Sequence, residues 1–499
     1  MFKRIFAILL AALMLLPLAA CGESTETPDV TTDGATGTDT EAATEFFPNV
    51  EKQDYEGETF QMIGIRDAGV WVYGEDPTAA NVNVLNDTLY EMNTTVEEYL
   101  SINIAYEYVH HTTGASVIFE AVQPSVMAGD DTYQLCILPA YRNVASFVTQ
   151  DCVMDLYDLN DYIDLDQPYW MQDYNEMLSY HGMQFTATGS IALSTYRFAF
   201  VTMFNKVDFD DKKVPYLYEA VNNGEWTLDF QAALAEDFYQ DLNGNGKKDE
   251  GDFFGLITSP YISTDPYWAS CDLSLVEKNA DGEYAYVLDT ARLSNVADKV
   301  LRLLYESGTL VYPHTGADAE QDDIRIAFAR GDGAMCTTRL VAAEMGDIRN
   351  MEDAYGIVPM PKLSKEQADY KTYVQDQVSC FGISAAIGDE TRQEQLAATL
   401  EAMSYYSYNI VRPAYYDSVL SLRFMQDPQS RDVLNTMFDS ISFDFVYATS
   451  TAGIRDTLRG IISQPNAPVA SSSKQWERQV QSAIRSQEKA FDRLLSSGN

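Results

Sequence analysis

The chain has 499 residues, 75 of them acidic and 33 basic, for a formal net charge of −42 at pH 7. That balance argues against nucleic acid, because a polyanion needs Lys and Arg to release its counterions, and it disfavours docking on anionic lipid. It suits an exported protein kept soluble by charge, and 46% hydrophobic with 12% aromatic residues is enough for a well-packed globular body.

The N-terminus reads MFKRIFAILLAALMLLPLAACGES. Lys3 and Arg4 give a basic start, residues 5–17 an apolar run, and small residues follow, which is the pattern of a secretory signal. Leu18-Ala19-Ala20-Cys21 resembles the lipobox of bacterial lipoproteins. The resemblance implies removal of residues 1–20, lipidation of Cys21, and attachment to the outer face of the bacterial cell membrane. No later segment reaches the ~18–20 apolar residues of a membrane span. Residues 22–45 hold no Lys, Arg or aromatic residue, so 21–47 is expected to be a disordered acidic tether. The remaining ~450 residues suffice for two or three lobes at ~100–200 residues each.

Strand-like and helix-like patterns then alternate. TFQMIGI (59–65) predicts a short apolar strand. In 83–100, Leu85, Leu89, Met92, Val96 and Leu100 fall at helical spacing, and SINIAYEYV (101–109) alternates with period two. A helix around GASVIFEAVQPSVMAG and a strand in YQLCILPA (133–140) follow. This rhythm predicts parallel sheets covered by helices. The last third is more helical. In 472–495, Trp476, Val480, Ala483, Ile484 and Phe491 share one side. Five cysteines follow Cys21, at 136, 152, 271, 336 and 380, with no CxxC pair; they read as buried small hydrophobes.

DLNGNGKKDEGD (241–252) has the layout of an EF-hand calcium loop. Positions 1, 3, 5, 7, 9 and 12 are Asp241, Asn243, Asn245, Lys247 (through its carbonyl), Asp249 and Asp252, with Gly246 at the sharp turn. Asp252 replaces the usual bidentate Glu, and three carboxylates place the expected affinity near 10⁻⁴–10⁻³ M. Thr227 is positioned to cap a preceding helix with Phe230, Leu234 and Phe238 on one face, and FFGLITS after the loop reads as a strand. A sensor needs two helices that swing apart. A single loop joining a helix to a strand therefore predicts a structural Ca²⁺ clip.

Catalytic signatures are scarce: the sequence has no HExxH, GxSxG or phosphate loop. Aromatic residues are plentiful in predicted loops, including Trp71, Tyr141, Tyr196, Tyr267, Trp268, Tyr415 and Tyr416. Each would serve core packing or the apolar face of a sugar.

Taken in order, the lipobox and acidic tether, DLYDLNDYIDLDQPYW (155–170), MFNK (203–206), YEAVNNGEWTLDF with the calcium-type loop (218–255), FARGDGAM (328–335), YGIVPMPKLSKEQADY (355–370) and VRPAYYDSVLSLRFMQDPQS (411–430) resemble the extracellular solute-binding proteins, family 1, of ABC importers. The resemblance implies an α/β fold of the two-lobe periplasmic-binding-protein type (type II), with hinge-linked lobes and a central cleft. Lobe one would be 48–197 plus 378–411, and lobe two 198–377 plus 412–499. Positions the family uses imply ligand contacts at Asp67, Trp71, Tyr141, Arg142, Tyr196, Arg197, Tyr261, Tyr267, Trp268, Arg339, Tyr415 and Tyr416. The implied function is non-enzymatic capture of a mono- or oligosaccharide by a monomer that hands it to membrane permease subunits. A peptide or other small solute, a secreted polysaccharide-cleaving enzyme and a calcium-stabilised adhesin remain as alternatives.

Overall fold

The computed structural model describes residues 50–66, 84–110, 117–249, 251–313, 319–420, 428–448, 453–462 and 469–497. The signal, the tether, Cys21, Asp67 and Trp71 lie outside the described residues. Thirteen strands are described: β1 (Glu58–Arg66), β2 (Ile102–His110), β3 (Leu135–Pro139), β4 (Phe200–Asn205), β5 (Leu256–Thr258), β6 (Val276–Lys278), β7 (Tyr284–Tyr286), β8 (Thr309–Val311), β9 (Met335–Arg339), β10 (Tyr355–Pro359), β11 (Thr372–Tyr373), β12 (Ser379–Ile383) and β13 (Ile441–Ser442).

Two sheets organise the molecule, one in the order β12-β3-β1-β2 and one in the order β10-β4-β9-β5-β8. Neither is purely parallel, a correction to the sequence expectation. In the first, β1 pairs in parallel with β2 and β3, and β12 runs against β3. In the second, β5 is parallel to β8 and β9, and β4 runs against both β9 and β10. The two reversed strands are those the chain enters directly from the other sheet: β4 follows β3 and its helices, and β12 follows β10 and β11. Hydrophobic periodicity carries no strand direction, so the sequence pattern could not show this reversal.

Helices cover the sheets where the spacing placed them. Val84–Leu100 buries Leu85, Leu89, Met92, Val96 and Leu100, each burial contributing roughly 1.5–3 kcal/mol. Thr227 caps the helix Leu228–Phe238 by accepting from Phe230 N at 3.3 Å. Leu234 and Phe238 are buried on that helix, but Phe230 is 36% exposed, its ring edge-on to Trp226. Gly255 and Gly308 let the entries to β5 and β8 press against this helix, since a Cβ on either would lie within 2.0–2.2 Å of the Ala235 carbonyl oxygen. All five described cysteines are buried and unpaired.

The helix Glu390–Tyr406 packs on β12 and on Val84–Leu100, then passes through a π-turn, Ser407–Val411, into Arg412–Leu420. Its Glu401 is fully buried. Oε1 accepts from the Tyr169 hydroxyl, and Oε2 accepts from Trp170 Nε1 (3.0 Å) and Asp164 N (3.3 Å). Burial outweighs these donors and pushes the carboxyl up to about 7 from 4.5. The unfolded chain releases this proton near pH 4.5 and the folded one near 7, so its contribution to stability is full at low pH and is lost as pH rises across that window. Urea unfolding from pH 5 to 8 is expected to show stability falling with pH, by roughly 3 kcal/mol from this group. Glu401→Gln should reduce the fall between pH 6 and 8; Asp155 and Asp208, each raised to about 6 by burial, account for what remains. A variant retaining the wild-type slope there would contradict the assignment.

Candidate functional site

Ligands of open α/β sheets sit outside the carboxyl ends of strands, and in this chain those ends meet the segments that run between the sheets. The outbound segment ends at Ala199 and the return begins at Val374; these two residues bridge antiparallel, as do Ala187 and Phe381. Gln375 N donates to Phe198 O at 3.1 Å and Leu340 N to Ala199 O at 2.8 Å, which brings the carboxyl end of β9 against both segments.

Around this junction lies a series of arginine–acceptor pairs. Arg339, the last residue of β9, donates through Nη1 to Gln375 Oε1, and its guanidinium lies 5.7 Å from the Phe198 ring. Arg197 grips Glu344 with two contacts, Nε to Oε1 at 3.0 Å and Nη2 to Oε2 at 2.6 Å. After β5 the chain turns through Tyr261 into the helix Asp265–Ser270. Asp265 is held there by Arg459, with Nε to Oδ1 at 2.8 Å and Nη2 to Oδ2. The same guanidinium covers the Tyr261 ring at 4.0 Å. One turn earlier on the helix Ile454–Ile462, Arg455 pairs with Asp376 of the return segment. Burial pushes the Asp265 carboxyl above its ordinary range, with Arg459 pulling it back. Burial and the neighbouring Glu344 push the Tyr415 hydroxyl up.

Chemically this is a buried cluster of alternating donors and acceptors beside aromatic rings. A paired guanidinium still presents N–H groups and a paired carboxylate still has free lone pairs. Such a set suits the hydroxyls of a polyol, and the exposed part of Tyr261 supplies a flat apolar face.

The structure gathers some predicted residues here and disperses others. Tyr196, Arg197 and Tyr415 come together: Tyr196 hydrogen-bonds Ser190 Oγ at 2.9 Å and its ring lies 6.3 Å from that of Tyr415. Arg339 and Tyr261 join the same region. Tyr141 and Arg142 fall in the first turn of the helix Ala140–Thr149, at the carboxyl end of β3. Tyr416 turns away, donating to Arg431 O at 3.2 Å and packing near Phe438. Tyr267 is core: it is wholly buried, its hydroxyl 3.2 Å from both Gln231 Oε1 and Thr337 Oγ1, and Trp268 is buried beside it. Their position in a run that reads as a loop concealed a helix whose far side packs on the second sheet.

Sequence reasoning missed Asp265, Glu344, Gln375, Asp376, Arg455 and Arg459. Arg455 and Arg459 carried one readable signal, two cations four residues apart on one helix face. Their partners stand far away in sequence and could not be matched.

The calcium-type loop lies at another edge of the second sheet. Its base is closed by the Gln240–Phe253 bridge, with bonds of 2.9 and 3.1 Å. Asp241 accepts from Gly244 N (2.6 Å), Asn245 N (3.2 Å) and Gly246 N (2.8 Å). Gly246 takes φ +71°, as the sharp turn requires. Asn243 and Asn245 donate to the two oxygens of Asp249 at 2.8 Å each, and Tyr239 donates to Asp252 at 2.9 Å and Lys247 O at 3.2 Å. Every side-chain acceptor in the loop is a hard oxygen, which fits Ca²⁺ in kind. Among the described residues no group of three or more His, Cys, Asp or Glu converges with metal-site geometry.

No protein-family model and no characterised protein matches the sequence. Solved structures do match. A sugar transporter from Rhizobium etli, in an open conformation, superposes with a TM-score of 0.58 at 13% identity, covering 85% of this chain and 99% of that one. UgpB from Mycobacterium tuberculosis, in complex with glycerophosphocholine, gives 0.52 at 13% identity over 88% and 99%. A cyclo/maltodextrin-binding protein complexed with maltotetraose gives 0.51 at 13% over 87% and 97%. The fold is that of the two-lobe solute-binding proteins. The paired segments near 187–199 and 374–381 run between the two sheets.

Removing one partner of a buried ion pair leaves an uncompensated charge. Arg459→Met is therefore expected to cost about 3–5 kcal/mol in urea unfolding, with most of it recovered in Arg459→Met/Asp265→Asn. A single-variant loss below about 1 kcal/mol would show that the pair behaves as an exposed one.

Proposed function

We propose that this protein is the substrate-binding lipoprotein of an ABC importer and that it captures a carbohydrate, mono- or oligosaccharide, between its lobes. The observation that carries the reading is the junction of strand ends and crossing segments, where Arg197, Arg339, Arg455 and Arg459 are each matched to an acceptor beside Tyr261. A set of placed donors and acceptors with an aromatic edge recognises hydroxyls without needing chemistry. The fold likeness to a sugar transporter and to a maltotetraose-bound protein supports it. Binding energy closes the lobes, and the closed form is what permease subunits would select.

Lobe one then comprises 48–197 plus 378–411 and lobe two 198–377 plus 412–499. Cys21 carries the lipid that holds the protein at the outer membrane face, and 21–47 is the spacer. No helix among the described residues is long and apolar enough to cross a membrane. The loop 241–252 takes Ca²⁺ through Asp241, Asn243, Asn245, the Lys247 carbonyl, Asp249 and Asp252. It pins the helix Leu228–Phe238 to β5, away from the ligand junction. A second reading, a non-sugar small solute, is favoured by the glycerophosphocholine bound to a protein of the same fold.

Tryptophan fluorescence and thermal shift across a broad panel of sugars, polyols, peptides and phosphodiesters test this. A response to a mono- or oligosaccharide is expected. Silence across sugars with a response to peptides or phosphodiesters would replace the carbohydrate claim. Chelation with EDTA is expected to lower the melting temperature while sugar binding persists; an unchanged melting curve would show that the loop holds no metal.

A further inference from the structure

Away from the ligand junction the described residues enclose two adjoining cavities that the proposed function leaves unused. The first, about 400 Å³, lies between the helix Gln172–Leu178, the C-terminal end of the helix Asp265–Ser270, the hairpin β6–β7 and residues 442–445. The second, about 710 Å³, lies between residues 221–224, 368–371 and 436–442. Asp173, Lys371 and Ser442 line both, so the two form one groove. None of the four junction arginines, 197, 339, 455 and 459, lines it.

Aromatic rings hold the walls. The Tyr284 ring lies 4.5 Å from that of Phe445, and Phe443 stands edge-on to Tyr174 at 5.4 Å. The C-terminal helix Val469–Ser497 backs the hairpin: Ser473 O accepts from Tyr286 (3.4 Å), Phe491 stacks on Tyr180 (4.9 Å), and Arg493 ties the helix end to Thr149 O (2.6 Å). The charges along the groove are not matched. Lys371 pairs with Asp272 at 2.5 Å, but Lys278 Nζ donates to Glu176 O and Ser179 Oγ (2.7 Å), and Lys362 Nζ to Gln367 O (2.7 Å). Among the described residues the carboxylates of Asp173, Glu176 and Glu277 in the first cavity, and of Asp369 in the second, make no hydrogen bond or ion pair. Tyr370, 8% exposed on the wall of the second cavity, has a hydroxyl with no hydrogen-bond partner. Each cavity already seats one ammonium against an aromatic face: Lys278 Nζ lies 5.8 Å from the Tyr284 ring centre, and Lys362 Nζ 5.1 Å from that of Tyr370.

We propose that this groove is a second binding site, for a linear organic polycation of the polyamine type. A polyamine alternates ammonium groups with methylene runs, and the groove alternates carboxylates with rings: Asp173, Glu176 and Glu277 beside Tyr284 and Phe443, then Asp369 beside Tyr370. The carboxylates take the ammonium groups, and the ring faces take both the methylenes and, by cation–π attraction, the charge. A hydrated metal ion gains nothing from aromatic walls, and a neutral sugar leaves the carboxylates unpaired. Both volumes fall within the ~300–1,000 Å³ of small-molecule sites. The net charge of −42 draws polycations toward the surface, and the groove gives one of them a fixed place. The site stands whether or not the junction takes a sugar.

Calorimetric titration of the full-length protein with spermidine tests this, at about 0.15 M salt, where exposed charges more than ~8 Å apart are screened. One saturable site per chain is expected. Glu176→Gln/Glu277→Gln removes two exposed carboxylates that have no partner to lose, and should weaken binding about tenfold. Glu91→Gln/Glu98→Gln removes the same charge from the exposed face of the helix Val84–Leu100, and should leave binding unchanged. Mg²⁺ at matching total charge should displace little spermidine. Heat without saturation, an equal loss in the two double variants, or full displacement by Mg²⁺ would overturn the site and leave only the general attraction of an acidic surface.

Discussion

The antiparallel contact between the outbound and return segments sets where everything else in this molecule goes. Both segments run through the interior, where unpaired backbone groups are costly, so each must find partners. They find them in each other and in the strand next to them: Ala187 with Phe381, Gln375 with Phe198, Leu340 with Ala199. That pairing forces β4 and β12 to run against their neighbours and brings the carboxyl end of β9 to the junction. A ligand site there is a consequence of the chain path before any side chain is chosen.

Side chains then give the junction its character. Ion pairs as deeply buried as Asp265–Arg459 contribute little net stability, because desolvation offsets most of their attraction. In the proposed function their value lies in holding charged donors and acceptors at fixed positions, where they could meet the hydroxyls of a ligand.

Much of the fold was legible from pattern. Leu85 to Leu100 at helical spacing, the alternation in 101–109 and the cap at Thr227 all became the elements they predict. The amphipathic helix at the C-terminus was legible as a surface element, but its reach across both lobes depends on partners such as Thr149 and Tyr180, which no local pattern names. Strand direction failed for the same reason, being set by the path between sheets. In the site, aromatic residues were visible and their burial was not. Tyr267 and Trp268 look like loop aromatics and serve the core, while the acidic residue two places before Tyr267 does the positioning. Arg455 and Arg459 were readable as a pair, but Asp265 stands 194 residues from Arg459, and only the fold joins them.

The central claim is that ligand enters at the strand ends between the lobes. Backbone hydrogen exchange with and without a bound saccharide tests it most directly, because it reports the footprint residue by residue. The account predicts protection concentrated in 259–265, 339–344, 374–378 and 453–459. Protection confined to 172–179, 272–286 and 442–445, around the cavity beneath the hairpin, would contradict it and move the ligand site there.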